Sequence, residues 1–200
     1  MRFSLMTFCA LTTLALLPAD HAEAEQREAI FAGGCFWCME PPYDKLEGVI
    51  STTSGYIGGE TERPTYEQVS GGGTGHAEAV KVVFDDEVVD YATLLDVFWH
   101  NIDPFAEGRQ FCDVGGQYRS AIFPLDQHQR RRAEASKEEV EARFERDVKT
   151  RIEASAPFWK AEEYHQNFYQ KNPVRYRFYR AGCGRDDRLE AVWGDAAGTP

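Results

Sequence analysis

Glu28-Ala29-Ile30-Phe31-Ala32-Gly33-Gly34-Cys35-Phe36-Trp37-Cys38 is the stretch on which the reading of this chain turns. Glu28–Gly34 reads as a short strand that stops in two glycines, and a helix opens at Cys35. That succession sets a thiol where backbone N–H groups are unpaired and the helix carries partial positive charge, which favours a thiolate. The glycines allow backbone or substrate to approach closely. A second thiol three residues on meets the first after about one helical turn. Pro41-Pro42 fall in the same helix, where proline removes donors and clashes one turn back, so a short, kinked or restarted helix is expected.

Four readings of the cysteine pair compete, and a catalytic or redox pair is favoured. A purely structural disulfide this short contributes little entropic stabilisation. A zinc site wants a second close ligand pair, whereas Cys112 and Cys183 are isolated from each other in sequence. A c-type haem site needs histidine after the second cysteine, where Met39 stands.

Outward from this stretch, Gly48–Gly59 reads as a strand and turn, and the alternation of Ala77–Phe84 as a strand. Asp90–Ile102 starts on a cap residue and spaces Leu94, Leu95, Phe98 and Ile102 for a helix. Gln117–Phe123 reads as a strand, Asp126–Arg146 as a long helix with a solvated charged face, and Val148–Ala154 as an alternating strand. Ala161–Gln170 reads as a short helix, and the polar, glycine-rich tail from Gly182 has Leu189 and Trp193 with which to dock. Mixed elements in this order suggest a two-layer α/β or α+β domain, expected to span 25–200 without repeat or linker.

The chain has 200 residues of ordinary globular composition, which excludes a disordered tail, a collagen-like repeat and a coiled coil. Its net charge of -11 argues against nucleic acid and anionic membrane as partners. Residues 1–24 read as a secretory signal: Arg2, an apolar Leu5–Leu17 too short to span a bilayer, and Ala22-Glu23-Ala24 for cleavage. Phe8 before Cys9 argues against lipidation. An exported, periplasmic protein is expected, in a compartment that favours disulfides. Cys35, Cys38, Cys112 and Cys183 then allow three full pairings, among which sequence does not choose.

In the Ala77–Phe84 register, Glu78 shares a face with Val80, Val82 and Phe84. It is either a carboxyl kept protonated by apolar surroundings or an edge residue that reaches water, and register does not separate the two. His76-Ala77-Glu78 with Cys-x-x-Cys is a weak match to zinc deaminases, because the order is reversed. Tyr66, Tyr118 and Asp113 lie at turns beside predicted elements, and each alone is weak evidence. Cys183, between Gly182 and Gly184, suits a travelling thiol or a frayed tail, and Cys112 has no derivable role.

Together, Gly34-Cys35-Phe36-Trp37-Cys38, Ser54-Gly55-Tyr56, Pro64-Thr65-Tyr66, Gly75–Val80, Gln117–Ile122 and Tyr164-His165-Gln166 resemble the A-type peptide methionine sulfoxide reductases in content and order. Gly182-Cys183-Gly184-Arg185 resembles the tail of one branch. The resemblance implies an α+β fold with a ferredoxin-like two-layer core, additional helices and long irregular segments. It implies thiol-dependent reduction of methionine-S-sulfoxide, free or in proteins, with no bound cofactor or metal and an external thioredoxin-like dithiol as reductant. It makes Cys35 the nucleophile, Glu78 the acid, Tyr66 and Tyr118 the tyrosines around the sulfoxide oxygen, and Asp113 a holder of substrate backbone. Phe36 and Trp37 become the methyl pocket, and Cys38 or Cys183 the resolving thiol. A monomer is expected. Competing readings are an exported thioredoxin-like disulfide exchanger and a disulfide-stapled binding module with inert cysteines.

Overall fold

The computed structural model describes residues 26–199, so the predicted leader over 1–24 lies outside the described residues. In chain order the elements are β1 (Gln26–Gly33), α1 (Phe36–Asp44), β2 (Val49–Ile57), α2 (Tyr66–Ser70), β3 (Ala77–Asp85), α3 (Tyr91–His100), β4 (Arg109–Gln110) and β5 (Asp113–Val114). A 3-10 turn (Gly116–Tyr118), β6 (Ser120–Ile122), α4 (Gln127–Phe144), β7 (Arg151–Ile152), β8 (Trp159–Lys160), α5 (Phe168–Lys171), α6 (Pro173–Gly182) and α7 (Arg185–Trp193) follow.

Six strands form one sheet in the order β7-β6-β1-β3-β2-β8. Its central four, β6-β1-β3-β2, are antiparallel throughout and are linked as β1-α1-β2-β3-α3-β6. That is the ferredoxin-like split βαβ arrangement, an α+β two-layer core. Alternation decides the layers. Phe31, Val80, Val82 and Phe84 pack under α1 and α3 with Met39, Tyr43, Leu94 and Phe98, while Ile30, Ala32, Ala77, Ala79 and Phe123 form a smaller cluster. Phe31 stacks on Tyr43, Tyr91 and Phe98, with ring centroids 5.3, 6.0 and 5.5 Å away.

Helix starts follow their caps. Asp90 and Asp126 accept the Thr93 and Gln129 N–H at 2.8 Å, and Thr65 with Gln68 closes a capping box on α2. In α1 the cap position belongs to Cys35, which makes no side-chain cap bond, and both Pro41 and Pro42 lie within a continuous helix of nine residues. Of the outcomes expected for the two prolines the helix is the short one, without a restart at Pro41. Phe36, Met39 and Tyr43 are all buried, and that packing offsets the two ladder bonds the prolines forgo.

Four predicted elements differ. Of Gln117–Phe123, only Ser120–Ile122 is strand, and Tyr118 sits on the 3-10 turn. Of Val148–Ala154, only Arg151–Ile152 pairs, because the Val148 N–H goes to Glu141 Oε1 and that of Lys149 to Pro104 O. The Ala161–Gln170 helix begins only at Phe168. The Gln166 amide instead accepts from Ser54 N (3.0 Å) and donates to Ser54 O (2.9 Å), acting as a sheet-edge partner. The tail from Gly182 carries a helix the sequence reading did not assign, α7, and Leu189 and Trp193 do dock it in the core. No helix among the described residues is long and apolar enough to cross a membrane.

Gly34 has φ +83°, and a Cβ there would lie 2.6 Å from Gln110 Cβ. Gln110 is buried and bonded both ways to the Asp103 backbone, so it cannot retreat. Gly34→Ala is expected to lower stability by about 3 kcal/mol, from the left-handed backbone plus overpacking. A urea midpoint unchanged by the substitution would remove the constraint.

Candidate active site

The first turn of α1, the near end of β3, the 3-10 turn, α2 and α6 converge on Cys35. Cys35 and Cys38 are free thiols, both buried. Glu78 is 1% exposed, and its Oε2 accepts the Phe36 N–H at 3.2 Å, so a carboxyl from β3 supplies the cap that Cys35 does not. Burial pushes Glu78 up to about 8 against the pull of that N–H bond, so it is largely protonated near neutrality. Of the two sequence readings of Glu78, the edge residue reaching water is the one the structure excludes.

Burial raises the Cys35 thiol well above its ordinary range, and its hydrogen bond to Cys38 and the Glu78 charge add to this. Cys38 is pulled down to about 6, chiefly because Cys35 donates to it, with Arg185 and Arg180 assisting against burial. Burial and the Glu78 charge thus oppose ionisation of Cys35, and the helix terminus alone does not ionise that thiol.

Tyr66 and Tyr118 both have raised phenols, first through burial and then through the Glu78 charge, which sets them beside the same carboxyl. Tyr66 is pushed up to about 12, so both remain donors. Phe36 is buried, with its ring 4.9 Å from that of His165. Trp37 stacks on Phe168 at 3.7 Å and donates its indole N–H to His165 Nδ1 at 3.0 Å. Asp113, half-buried, accepts from the Tyr179 hydroxyl at 2.5 Å.

Cys183 stands apart from the thiol pair: it is joined to Cys112, with the two Cα atoms 4.9 Å apart. This one pairing is selected from those the four cysteines allow, and it provides Cys112 with a partner. The flanking residues explain what the bridge holds. Phe111 lies under the Arg185 guanidinium at 4.3 Å, and Asp113 holds Tyr179.

Four residues near the thiols escaped the sequence reading. Tyr179 lies within hydrogen-bond reach of Cys35 and 5.6 Å edge-on to Trp37. His165 stacks between Phe36, Trp37 and Tyr66, and burial lowers it to about 4. Accepting from Trp37 at Nδ1 leaves its proton on Nε2, which is buried and without a partner among the described residues. Arg185, 1% exposed, donates to Gly33 O (3.2 Å) and Asn101 O (2.7 Å) beneath the turn that leads into Cys35. Glu40 is buried and raised to about 7 by that burial; it accepts from Ser54 Oγ at 2.9 Å and ties α1 to β2. The Tyr164-His165-Gln166 motif signalled His165. The Gly182–Arg185 motif contained Arg185 without giving it a role, and nothing local signalled Tyr179. His76 is structural, with Nδ1 taken by Gly59 N–H and Nε2 by Thr61 O.

Chemically, the arrangement offers a thiol at a helix start, a neutral acid and two phenols beside it, and an aromatic wall. A polar oxygen on an electrophilic sulfur would find donors on one side and a nucleophile on the other.

Comparisons with known proteins agree in direction. The profile of the family described as PMSR, peptide methionine sulfoxide reductase, matches residues 27–197. The chain is 47% identical over 187 residues to peptide methionine sulfoxide reductase MsrA 2 of Rhizobium meliloti, covering 94% of this chain and 92% of that protein. It is 50% identical over 167 residues to MsrA of Ligilactobacillus salivarius, covering 82% and 96%. Among solved structures, reduced Mxr1 from Saccharomyces cerevisiae is similar at TM-score 0.72 and 32% identity, covering 76% of this chain and 88% of that one. Methionine sulfoxide reductase A of Corynebacterium diphtheriae is similar at TM-score 0.68 and 30% identity, covering 76% and 78%.

Proposed function

Because the chain belongs to the peptide methionine sulfoxide reductase family, we propose that it reduces the S epimer of methionine sulfoxide, free or in proteins, through Cys35. The observation that carries this is Glu78, fully buried, held protonated to about 8 and bonded to the first N–H of the helix that Cys35 opens.

Sulfoxide sulfur is a poor electrophile until its oxygen is protonated or strongly hydrogen-bonded. Glu78 donates the proton as Tyr66 and Tyr118 hydrogen-bond the oxygen, and this help is strongest as the S–O bond breaks. The Cys35 sulfur attacks the substrate sulfur, and the proton it gives up has an acceptor in the hydrogen-bonded Cys38 sulfur. The oxygen passes from the substrate sulfur to Cys35 Sγ, the sulfur–sulfur bond made in the attack breaks, methionine leaves, and Cys35 is left as a sulfenic acid. Phe36 and Trp37 take the S-methyl group, which fixes the face of the chiral sulfur presented to Cys35, and Asp113 holds the substrate backbone.

The Cys38 thiol then condenses with the sulfenic acid, forming the Cys35–Cys38 bond and releasing water. Cys183 would resolve only after release from Cys112, so Cys38 is the first resolver. A thioredoxin-like dithiol restores the thiols. The leader read over 1–24 assigns this chemistry to the periplasm and to repair of exported proteins.

Purified 25–200 with dithiothreitol is expected to reduce a peptide carrying the S epimer and to leave the R epimer untouched, as read by chiral chromatography. A folded protein that reduces neither epimer would overturn the reading and leave disulfide exchange as the next assay.

A further inference from the structure

We propose that the outer face of α6 is the docking surface for the protein dithiol that re-reduces the Cys35–Cys38 disulfide, and that this partner presents an acidic surface around its own thiols. The inference rests on the Cys35 chemistry given above.

Helix α6 has no buried residue. At 100° per residue, Val174, Phe178 and Ala181 fall on one side, flanked by Arg177 and Arg175, while Tyr176, Tyr179 and Arg180 fall on the other. The inner side is occupied. Tyr179 meets Cys35 and Trp37, Arg180 pairs with Asp186, and the Arg180 charge is felt at Cys38. The outer side is not: Val174 is 56% and Phe178 77% exposed. Arg177 has no ion-pair or hydrogen-bond partner among the described residues, and Arg175 meets only the edge of the aromatic wall, 5.8 Å above the Phe168 ring. The helix carries three arginines and no acidic residue in a chain of net charge -11. An apolar strip rimmed by uncommitted cations on an acidic molecule selects a partner by charge complementarity.

Position separates reductant from substrate. The sulfoxide site is built by α1, α2, β3 and the 3-10 turn, with Tyr179 entering from the inner side of α6, and of the outer side only Arg175 comes near it, over the Phe168 ring behind Trp37. Cys38 is 1% exposed, and the charges felt at it come from Arg185 on α7 and from Arg180 on α6, so a protein thiol reaches that sulfur from the side where α6 and α7 lie. Oxidised methionines occur in many sequence contexts and have no common charge for such a patch to read, whereas a dedicated reductant has one. The exchange balances. A partner thiolate attacks Cys38 Sγ, the Cys35–Cys38 bond breaks, and Cys35 leaves as thiolate and takes a proton. The partner's second thiol attacks the mixed disulfide, Cys38 leaves as a thiol, and the partner departs as a disulfide two electrons poorer.

The test uses 25–200 with an acidic bacterial thioredoxin, recycled by its reductase and NADPH, beside parallel assays in dithiothreitol. Arg175→Glu/Arg177→Glu is expected to lower kcat/KM for thioredoxin on the order of tenfold, with the dithiothreitol rate within twofold of wild type. Phe178→Ala is expected to raise the KM for thioredoxin alone, and added salt to slow the wild type but not the double variant. Thioredoxin kinetics unchanged in the charge-reversed variant would overturn the proposal. So would equal losses in both assays, which mark a structural role. A loss confined to an oxidised protein substrate under dithiothreitol would reassign the face to substrate, and a shift in oligomeric state on gel filtration would reassign it to a second copy. Wild type inactive even with dithiothreitol would instead defeat the reductase reading itself.

Discussion

Cys35→Ser is expected to lose sulfoxide reduction by on the order of 10⁴-fold or more, because a hydroxyl cannot replace the sulfur nucleophile. The fold survives the change. Cys35 occupies the cap position of α1 without making a cap bond, and serine is among the best residues at that position, so stability is expected to hold or rise slightly. Thermal unfolding therefore serves as the internal control. Cys38→Ser behaves differently: without reductant it releases one methionine per chain and leaves Cys35 as a sulfenic acid that a dimedone adduct reports by mass. Multiple turnovers by the Cys35 variant would point to another nucleophile, and a first turnover as fast in the Cys38 variant as in wild type would remove Cys38 as acceptor of the Cys35 proton and leave it a resolver alone.

Glu78→Gln is expected to slow the single-turnover rate at pH 7 by about 10²- to 10³-fold, the usual scale for a positioned acid. Glutamine keeps an acceptor for the Phe36 N–H, so the helix cap remains while the transferable proton is gone. The sign of the pH dependence follows from the raised carboxyl. Its acid form is complete at low pH and disappears as pH rises through about 8, so wild-type chemistry falls on that limb and the glutamine variant shows no such fall. The stability linkage has the same direction. A folded value raised from 4.5 to about 8 contributes fully below 4.5 and is lost as pH rises through 8, so the variant gains on wild type in alkali. A variant with wild-type single-turnover rate would remove Glu78 from the acid role.

Much of this was legible in local pattern. The strand, glycine turn and helix at Cys35, the alternation that sets Glu78 on one face with Val80, Val82 and Phe84, and the Asp90 and Asp126 caps each rest on residues close in sequence. What escaped depends on distant partners. Glu78 was ambiguous because only the packed fold removes its water. The helix expected before residue 168 yields because the Gln166 side chain finds the Ser54 backbone, and that diversion carries His165 to Trp37. The tail was read as polar and glycine-rich with two docking residues, and no role was read for Arg185. It is buried through carbonyl acceptors that no sequence window contains. Cys112 and Cys183, separated by 71 residues, are brought together by the fold where α6 meets α7.

Arg185 also orders the site in time. The Gly33–Cys38 turn is among the first parts of the domain to be synthesised, yet the guanidinium that holds Gly33 O lies 152 residues further on. On the ribosome the two thiols emerge early, without Tyr179 over Cys35, without Arg185 beneath the turn and without Arg180 near Cys38. A contact of such long sequence separation forms late, after loop closure has been offset by the rest of the core. The nascent chain thus presents ordinary cysteines for most of its synthesis, and the paired chemistry switches on only when α7 docks.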